Sequence, residues 1–502
     1  MPSSSRTNNI SATAAENMTS LSAVIVRPDP DAGLSESERA AVDRKLVRRL
    51  DLVLLPWLCF LYLLAFLDRT NIGNAKIDNM TNDIIMSNLG YSATLMIFFV
   101  AYSAFEPVAN VLLKRMRPSI FLPLIMVGWG GCMTAMGLVK NWSGLMAARF
   151  FLGVFESGLF PGVNYFISCW YRRDEFALRA ALFFSFAALA GSFGGLLAAA
   201  ISTMDGIGGF AGWRWIFILE GALTIVVAIA SFWMVQDFPD KAEFLLEADQ
   251  ERVLRRLNRD KQSSAHHENF KMLYVWQALK DTKTYLAMVV YMGPMMPLYS
   301  LSLFLPTIIS NLSFTDPSQI IKNQLLSVPP YAVAALVTIV VSVFSDRHCK
   351  RGIYNMALAC VGIFGFTLLV ASSNPIVQYL GACFGAVGIY ASIPLTIAWV
   401  ANNTEGSYKR GIVLGLVIGW GNLNGLVSCN LWFGAPRFLA GHITVIAYMA
   451  LFLGGGSYIL CRYLYFQNLD RKQGLLDHRL TGLTKAEIGD LGDANPEFLY
   501  TL

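Results

Sequence analysis

The sequence predicts an all-α membrane protein: twelve transmembrane helices in two six-helix bundles, with both ends of the chain in the cytosol. Three observations carry that expectation. Only 15% of the 502 residues are charged and 55% are hydrophobic, with a mean hydropathy of +0.49, whereas a soluble domain has roughly 25% charged residues. Apolar runs approaching or exceeding the ~20 residues a helix needs to cross a hydrocarbon core recur along the chain. They fall into two groups of six, separated by one hydrophilic stretch at 236–284.

Residues 1–49 are rich in Ser, Asn and charge and have no apolar segment behind a basic start. They read as a disordered cytosolic tail and not as a signal peptide. The first bundle, 50–235, opens with an uncharged stretch from Leu52 to Leu67 and continues with runs at about 91–113, 119–138, 143–168, 178–203 and 213–235. The linker 236–284 centres on EADQERVLRRLNRDK. The second bundle, 285–466, has runs at about 285–310, 327–345, 354–373, 376–400, 411–433 and 442–465, and a polar tail occupies 467–502.

Orientation follows from the basic residues. Arg44, Lys45, Arg48 and Arg49 precede the first run, Lys114, Arg115 and Arg117 follow the second, and Arg172, Arg173 and Arg179 follow the fourth. Arg347, Lys350 and Arg351 follow the eighth, and Lys409 and Arg410 the tenth. All lie on one side, which the positive-inside rule makes cytosolic together with both termini and the linker. The sequons at Asn79 and Asn311 then face outward as candidate glycosylation sites.

Composition also excludes. The net charge of +5 is small and its basic residues sit between apolar runs, which speaks for topology and against nucleic acid. The eight cysteines form no CxxC pair and read as small buried hydrophobes. No phosphate-binding loop, zinc spacing or nucleophile elbow appears, so no enzyme, metal or cofactor is expected, and no obligate protein partner.

The charges inside the runs are few and informative. If the first helix reaches full length, Asp68, Arg69, Asn71 and Asn74 enter the membrane region, where each ionised group costs at least about 2.5–3.5 kcal/mol at a helix centre. Either Asp68-Arg69 marks the helix end at the headgroups, or the pair faces a watery cavity. In the fourth run Arg149, Gly153 and Glu156 stand at i, i+4 and i+7, one stripe of a helix, and form either a structural pair or a site. A guanidinium binds a carboxylate bidentately, and a proton arriving on Asp68 or Glu156 would free an arginine for such a substrate. None of the five histidines lies mid-span to serve instead. Glu106 and Glu220 are expected to be hydrogen-bonded structural groups. The second bundle lacks a clear mid-helix charge, leaving Tyr299, Asn422 and Asn424 as candidate polar contacts.

Six helices, a cytosolic linker and six helices is the layout of the major facilitator superfamily. SDRHCKR, with Asp346, Arg347 and Arg351, resembles that superfamily's inner-loop motif, although its counterpart LLKRMRPS lacks the usual Gly and Asp. Such basic loops either latch the inner side or only set topology. LDRTNIGNAKI, RFFLGVFESGLFPG, WRWIFILEG, FLPTII, ANNTEGSYKRG and the closing LGDANPEFLYTL together resemble the fungal anion:cation symporter family of allantoate, pantothenate and nicotinate permeases. The tail and YSLSLFLPTII are most similar to the nicotinate branch. The resemblance implies proton coupling at Asp68 and Glu156 and anion binding at Arg69 and Arg149. It points to proton symport of a small, nicotinate-like organic anion at the fungal plasma membrane. The alternative is an exporter of a secondary metabolite.

Overall fold

In the computed structural model, residues 31, 33–259, 272–310, 320–431, 438–476, 480, 482 and 491–502 are described. Among them the regular structure is entirely helical. The first half comprises α1 (Glu36–Ile77), α2 (Asn88–Arg115), α3 (Pro118–Leu138), α4 (Trp142–Glu156), α5 (Leu159–Ser168), α6 (Arg173–Ser202) and α7 (Gly212–Met234). The linker carries α8 (Glu247–Arg259) and α9 (Met272–Lys280). The second half follows as α10 (Thr282–Ser310), α11 (Ile320–His348), α12 (Gly352–Ala371), α13 (Pro375–Asn402), α14 (Ser407–Ser428) and α15 (Leu439–Tyr448). A π-helical turn at Met449–Gly455 then joins α15 to α16 (Gly456–Lys472). Eleven helical spans among the described residues are long and apolar enough to cross a membrane, and α10 adds a further helix of 29 residues. Exposed Val226, Trp233, Leu336, Phe364 and Leu451 stud the outer faces, as a lipid-facing surface requires.

Three boundaries differ from expectation. Residues 36–49, expected within a disordered tail, are the first turns of α1. Ser35 and Glu38 close a reciprocal capping box there, which satisfies donors that a helix start leaves orphaned. At 42 residues, or about 63 Å, α1 is twice the bilayer core and extends beyond it on the basic-loop side. The run 143–168 is broken at Ser157-Gly158 into α4 and α5. The last helix continues to Lys472, past the expected boundary at 466. Asn79 is exposed, with φ 63°, in the turn after α1; Asn311 lies outside the described residues.

Within the first half α3 packs on α7, α1 on α6, and α2 on α4; within the second α12 and α11 pack on α13, and α10 on α14. The halves meet along α2 against α14 and α6 against α11. The α2–α14 seam is close because α14 presents glycines to it. A Cβ on Gly415 would stand 3.1 Å from Pro107 Cα, and one on Gly425 2.6 Å from the Phe99 ring. Small residues at a helix crossing let backbones approach, which matters where lipid gives no hydrophobic drive between helices.

On the basic-loop side two clasps hold the ends. Arg252 and Arg255 of α8 both hold Asp31, and Arg256 reaches Glu175 of α6 at 2.6 Å. Residues 491–502 dock on the second half. Asp493 is gripped by Lys283 of α10 and by Lys409 of α14, the latter at 2.7 Å. Thr501 accepts from Trp399 Nε1 and Asn403 Nδ2, each at 2.9 Å, and Leu502 accepts from the Arg351 backbone at 2.6 Å. Burial alone would raise the Asp493 carboxyl, but the two lysines outweigh it and pull it down to about 2.

Candidate functional site

Midway along the bundle, helical periodicity turns Arg69 and the Arg149–Glu156 stripe toward each other. Gly153 lets α4 approach α2: a Cβ there would stand 2.5 Å from the Phe98 carbonyl oxygen. Arg69 donates to Glu156 Oε1 from Nε at 3.0 Å and from Nη2 at 2.5 Å, while Nη1 donates to Tyr299 Oη at 3.0 Å. Tyr299 donates to Asn422 Oδ1 at 2.5 Å, and Asn422 Nδ2 donates to Glu106 Oε2 at 3.0 Å. This chain of five side chains starts on α4 and α1, passes through α10 and α14, and ends on α2. It therefore crosses between the halves twice.

Arg149 sits beside that chain without joining it. Its residue is 1% exposed, and its Nε and Nη2 have no hydrogen-bond partner among the described residues. The Phe98 ring lies under both guanidiniums, with Arg69 Cζ at 5.3 Å and Arg149 Cζ at 5.8 Å from its centroid; Tyr102 adds a second face to Arg69 at 4.8 Å. Aromatic faces stabilise a desolvated cation but leave its N–H groups unmet. A small cavity lies here, lined by Phe66, Arg69, Thr70, Leu95, Phe98, Phe99, Arg149, Tyr299 and Ser302. Ser302 in turn meets Tyr390 Oη at 3.1 Å.

Asp68 does not share this cavity's ion pairs. Its Oδ2 accepts from Trp129 Nε1 at 3.1 Å and Thr224 Oγ1 at 3.0 Å, between α3 and α7. Consecutive helix residues point about 100° apart, so the Asp68-Arg69 dipeptide is split between two environments. Of the two acids expected to hold an arginine, Asp68 and Glu156, it is Glu156 that pairs with Arg69. Near Asp68, Asn71 of the same helix donates to Glu220, as expected for a hydrogen-bonded Glu220. Glu106, also expected to be hydrogen-bonded, accepts from Asn422 and ends the polar chain. Its sequence signal was an acid beside Pro107 in an apolar run. Among the described residues, Asn424 donates to the Trp420 carbonyl of its own helix, at 3.1 Å.

In the inner-loop motif Asp346 pairs with Arg351 at 2.6 Å and accepts from the Leu178 backbone of α6 at 2.9 Å. Arg410 of α14 donates to the Ser168 carbonyl of α5 at 3.4 Å. Both contacts join the two halves on the basic-loop side. Arg347 is exposed there.

A multi-pass helical protein with buried charges around a small central cavity at the junction of two halves has the architecture of a transporter. The chain belongs to the Major Facilitator Superfamily, whose model matches residues 58–428, and is an integral membrane transporter of that superfamily. It is similar to an uncharacterized transporter of Schizosaccharomyces pombe, 35% identical over 88% of this chain and 87% of that one. It is also similar to the high-affinity nicotinic acid transporter of Saccharomyces cerevisiae, 30% identical over 91% of this chain and 85% of that one. The solved structure of a proton:xylose symporter superposes with a TM-score of 0.61 at 13% identity, covering 79% of this chain and 94% of that one, a likeness of fold.

Proposed function

We propose that the protein imports a small organic monocarboxylate, nicotinate-like in size and charge, together with a proton across the fungal plasma membrane. One observation carries the reading: the Arg149 guanidinium is buried beside the cavity with Nε and Nη2 unmet. An unmet buried cation is costly and calls for an anion. Arg69 is answered by Glu156, whereas Arg149 has no acidic partner among the described residues, so one substrate carboxylate can meet it.

The proton enters through the Arg69–Glu156 pair. Glu156 holds Arg69 through Oε1 alone, and Oε2 is buried without a hydrogen-bond partner among the described residues. A proton accepted there neutralises the carboxylate and loosens Arg69, which can then turn to the substrate. Asp68, on α1 and held by Trp129 and Thr224, is a second proton-holding group, separate from the arginines. Tyr299 and Asn422 bring the second half to the substrate. The Asp346–Arg351 pair and the α6 backbone act as the inner latch, on a side that the basic loops make cytosolic.

Purified protein in vesicles with an imposed inward proton gradient tests the reading. Labelled nicotinate should accumulate above equilibrium, and collapsing the gradient should abolish accumulation. Accumulation of neutral solutes alone, or none by any monocarboxylate in a broad panel, would refute it.

A further inference from the structure

We infer that Glu106 is a positioning residue for the anion cavity: acting through Asn422 and Tyr299, it sets how Arg69 is presented to substrate. This rests on the anion-transport reading above.

Hydrogen-bond polarity links Glu106 to Arg69. Glu106 is fully buried on α2. Its contact in the chain is Asn422 Nδ2, across the seam between the halves, and its second oxygen, Oε1, has no hydrogen-bond partner among the described residues. An amide has a donor end and an acceptor end, and the Glu106 oxygen that faces it, Oε2, is the acceptor. Glu106 therefore turns the Asn422 amide with its NH2 toward α2 and its oxygen toward Tyr299. That oxygen takes the single phenol hydrogen, at 2.5 Å. With its hydrogen so directed, Tyr299 presents lone pairs to Arg69, which can only donate. Each link fixes the direction of the next, from an acid that touches no arginine to the guanidinium at the cavity.

Replace Glu106 by an apolar residue and this constraint goes. The amide can then turn its NH2 to the phenol oxygen and compete with Arg69 Nη1 for the same lone pairs. Arg69 keeps Glu156 on one side and loses its brace on the other. The α2–α14 seam keeps the chain short. A Cβ on Gly419 would lie 3.4 Å from Glu106 Oε2, so a larger residue there would crowd the carboxylate from the Asn422 side.

The test is a double-mutant cycle on purified protein, with benzoate and nicotinate as probes. Their dissociation constants are read from ligand-dependent thermal shifts, and the unliganded melting temperature is recorded for each variant. Glu106→Leu should weaken binding about tenfold, the effect of losing one well-placed charge-assisted hydrogen bond. Glu106→Gln, whose carbonyl oxygen can accept the same Asn422 bond, should restore affinity to within about twofold. In a Tyr299→Phe background, Glu106→Leu should add no further loss, because the link it works through is gone. Should Glu106→Leu not fold, Asn422→Val takes its place in the cycle. Losses that multiply with those of Tyr299→Phe, or a Gln variant as weak as the Leu variant, would overturn the inference even if melting temperatures fall. A wild type that binds neither probe nor any other acid of a monocarboxylate panel overturns the anion reading, and this inference with it. A wild type that binds while the cycle is additive overturns this inference alone.

Discussion

Arg69 directs two of its nitrogens at a single oxygen of Glu156 and leaves the other oxygen buried and unmet. A side-by-side pairing would have used both oxygens of the carboxylate. The observed geometry keeps Nη1 available for Tyr299 and one face of the acid available to a proton.

Arg69→Lys preserves the charge but has one nitrogen where three are used. Uptake of labelled nicotinate should fall at least about tenfold, the loss expected when one charge-assisted bond is removed, with the protein still present at the membrane. Near-normal uptake by a well-expressed Lys variant would remove Arg69 from the binding site.

Glu156→Gln fixes the group in a neutral form. Uphill uptake driven by a proton gradient should be lost, while exchange of labelled for unlabelled substrate, in which no net proton moves, should persist. Counterflow and gradient-driven uptake on the same reconstituted protein separate the two. A purely structural Glu156 would instead lose both or neither.

Much of this site was legible from spacing. Arg149, Gly153 and Glu156 announce one helical face because three such residues at i, i+4 and i+7 stand out in an apolar run. Tyr299 and Asn422 stood with Asn424 among the second half's candidate polar contacts, but no spacing separates them from Tyr291, Tyr331, Asn355 or Tyr390. What pairs with what was not legible. Asp68 and Arg69 look like one group in sequence and are separated by the turn of the helix, whereas Glu106 and Asn422 touch from 316 positions apart. Proximity across two halves depends on a glycine seam whose partner helix no local pattern names. The helical start at Glu36 was legible in principle, since Ser35 and Glu38 have capping-box spacing, but the charged composition around them masked it.

Gly153→Ala should be costly despite the small change. The added methyl would stand 2.5 Å from the Phe98 carbonyl, forcing α4 and α2 apart where they frame the arginines. A destabilisation of about 1–3 kcal/mol is expected for such overpacking, read as a lower melting temperature in detergent. An unchanged melting temperature would mean that the two helices yield without cost.

Docking of residues 491–502 should depend on acidity with a definite sign. The folded Asp493 carboxyl lies near 2, below its ordinary value of 3.8. Its contribution is therefore fully present above about pH 4 and lost as pH falls toward 2. Protease cutting within 491–502 should rise over that window in the wild type, and in Asp493→Asn it should already be fast at pH 7. Equal protection of the two proteins at pH 7 would show that Asp493 does not hold the segment.

The same segment has a consequence for how the chain is made. Lys283 is synthesised some two hundred residues before Asp493, and Lys409 some eighty before it. Until residues 491–502 have left the ribosome, the carboxylate shared by the two lysines among the described residues is Asp281, 3.4 Å from Lys283 and 3.0 Å from Lys409. A chain that has not yet made Asp493 thus displays a cationic notch that the segment 491–502 later fills. The second half therefore receives this charge from its own chain only after its last helix, ending at Lys472, has been synthesised.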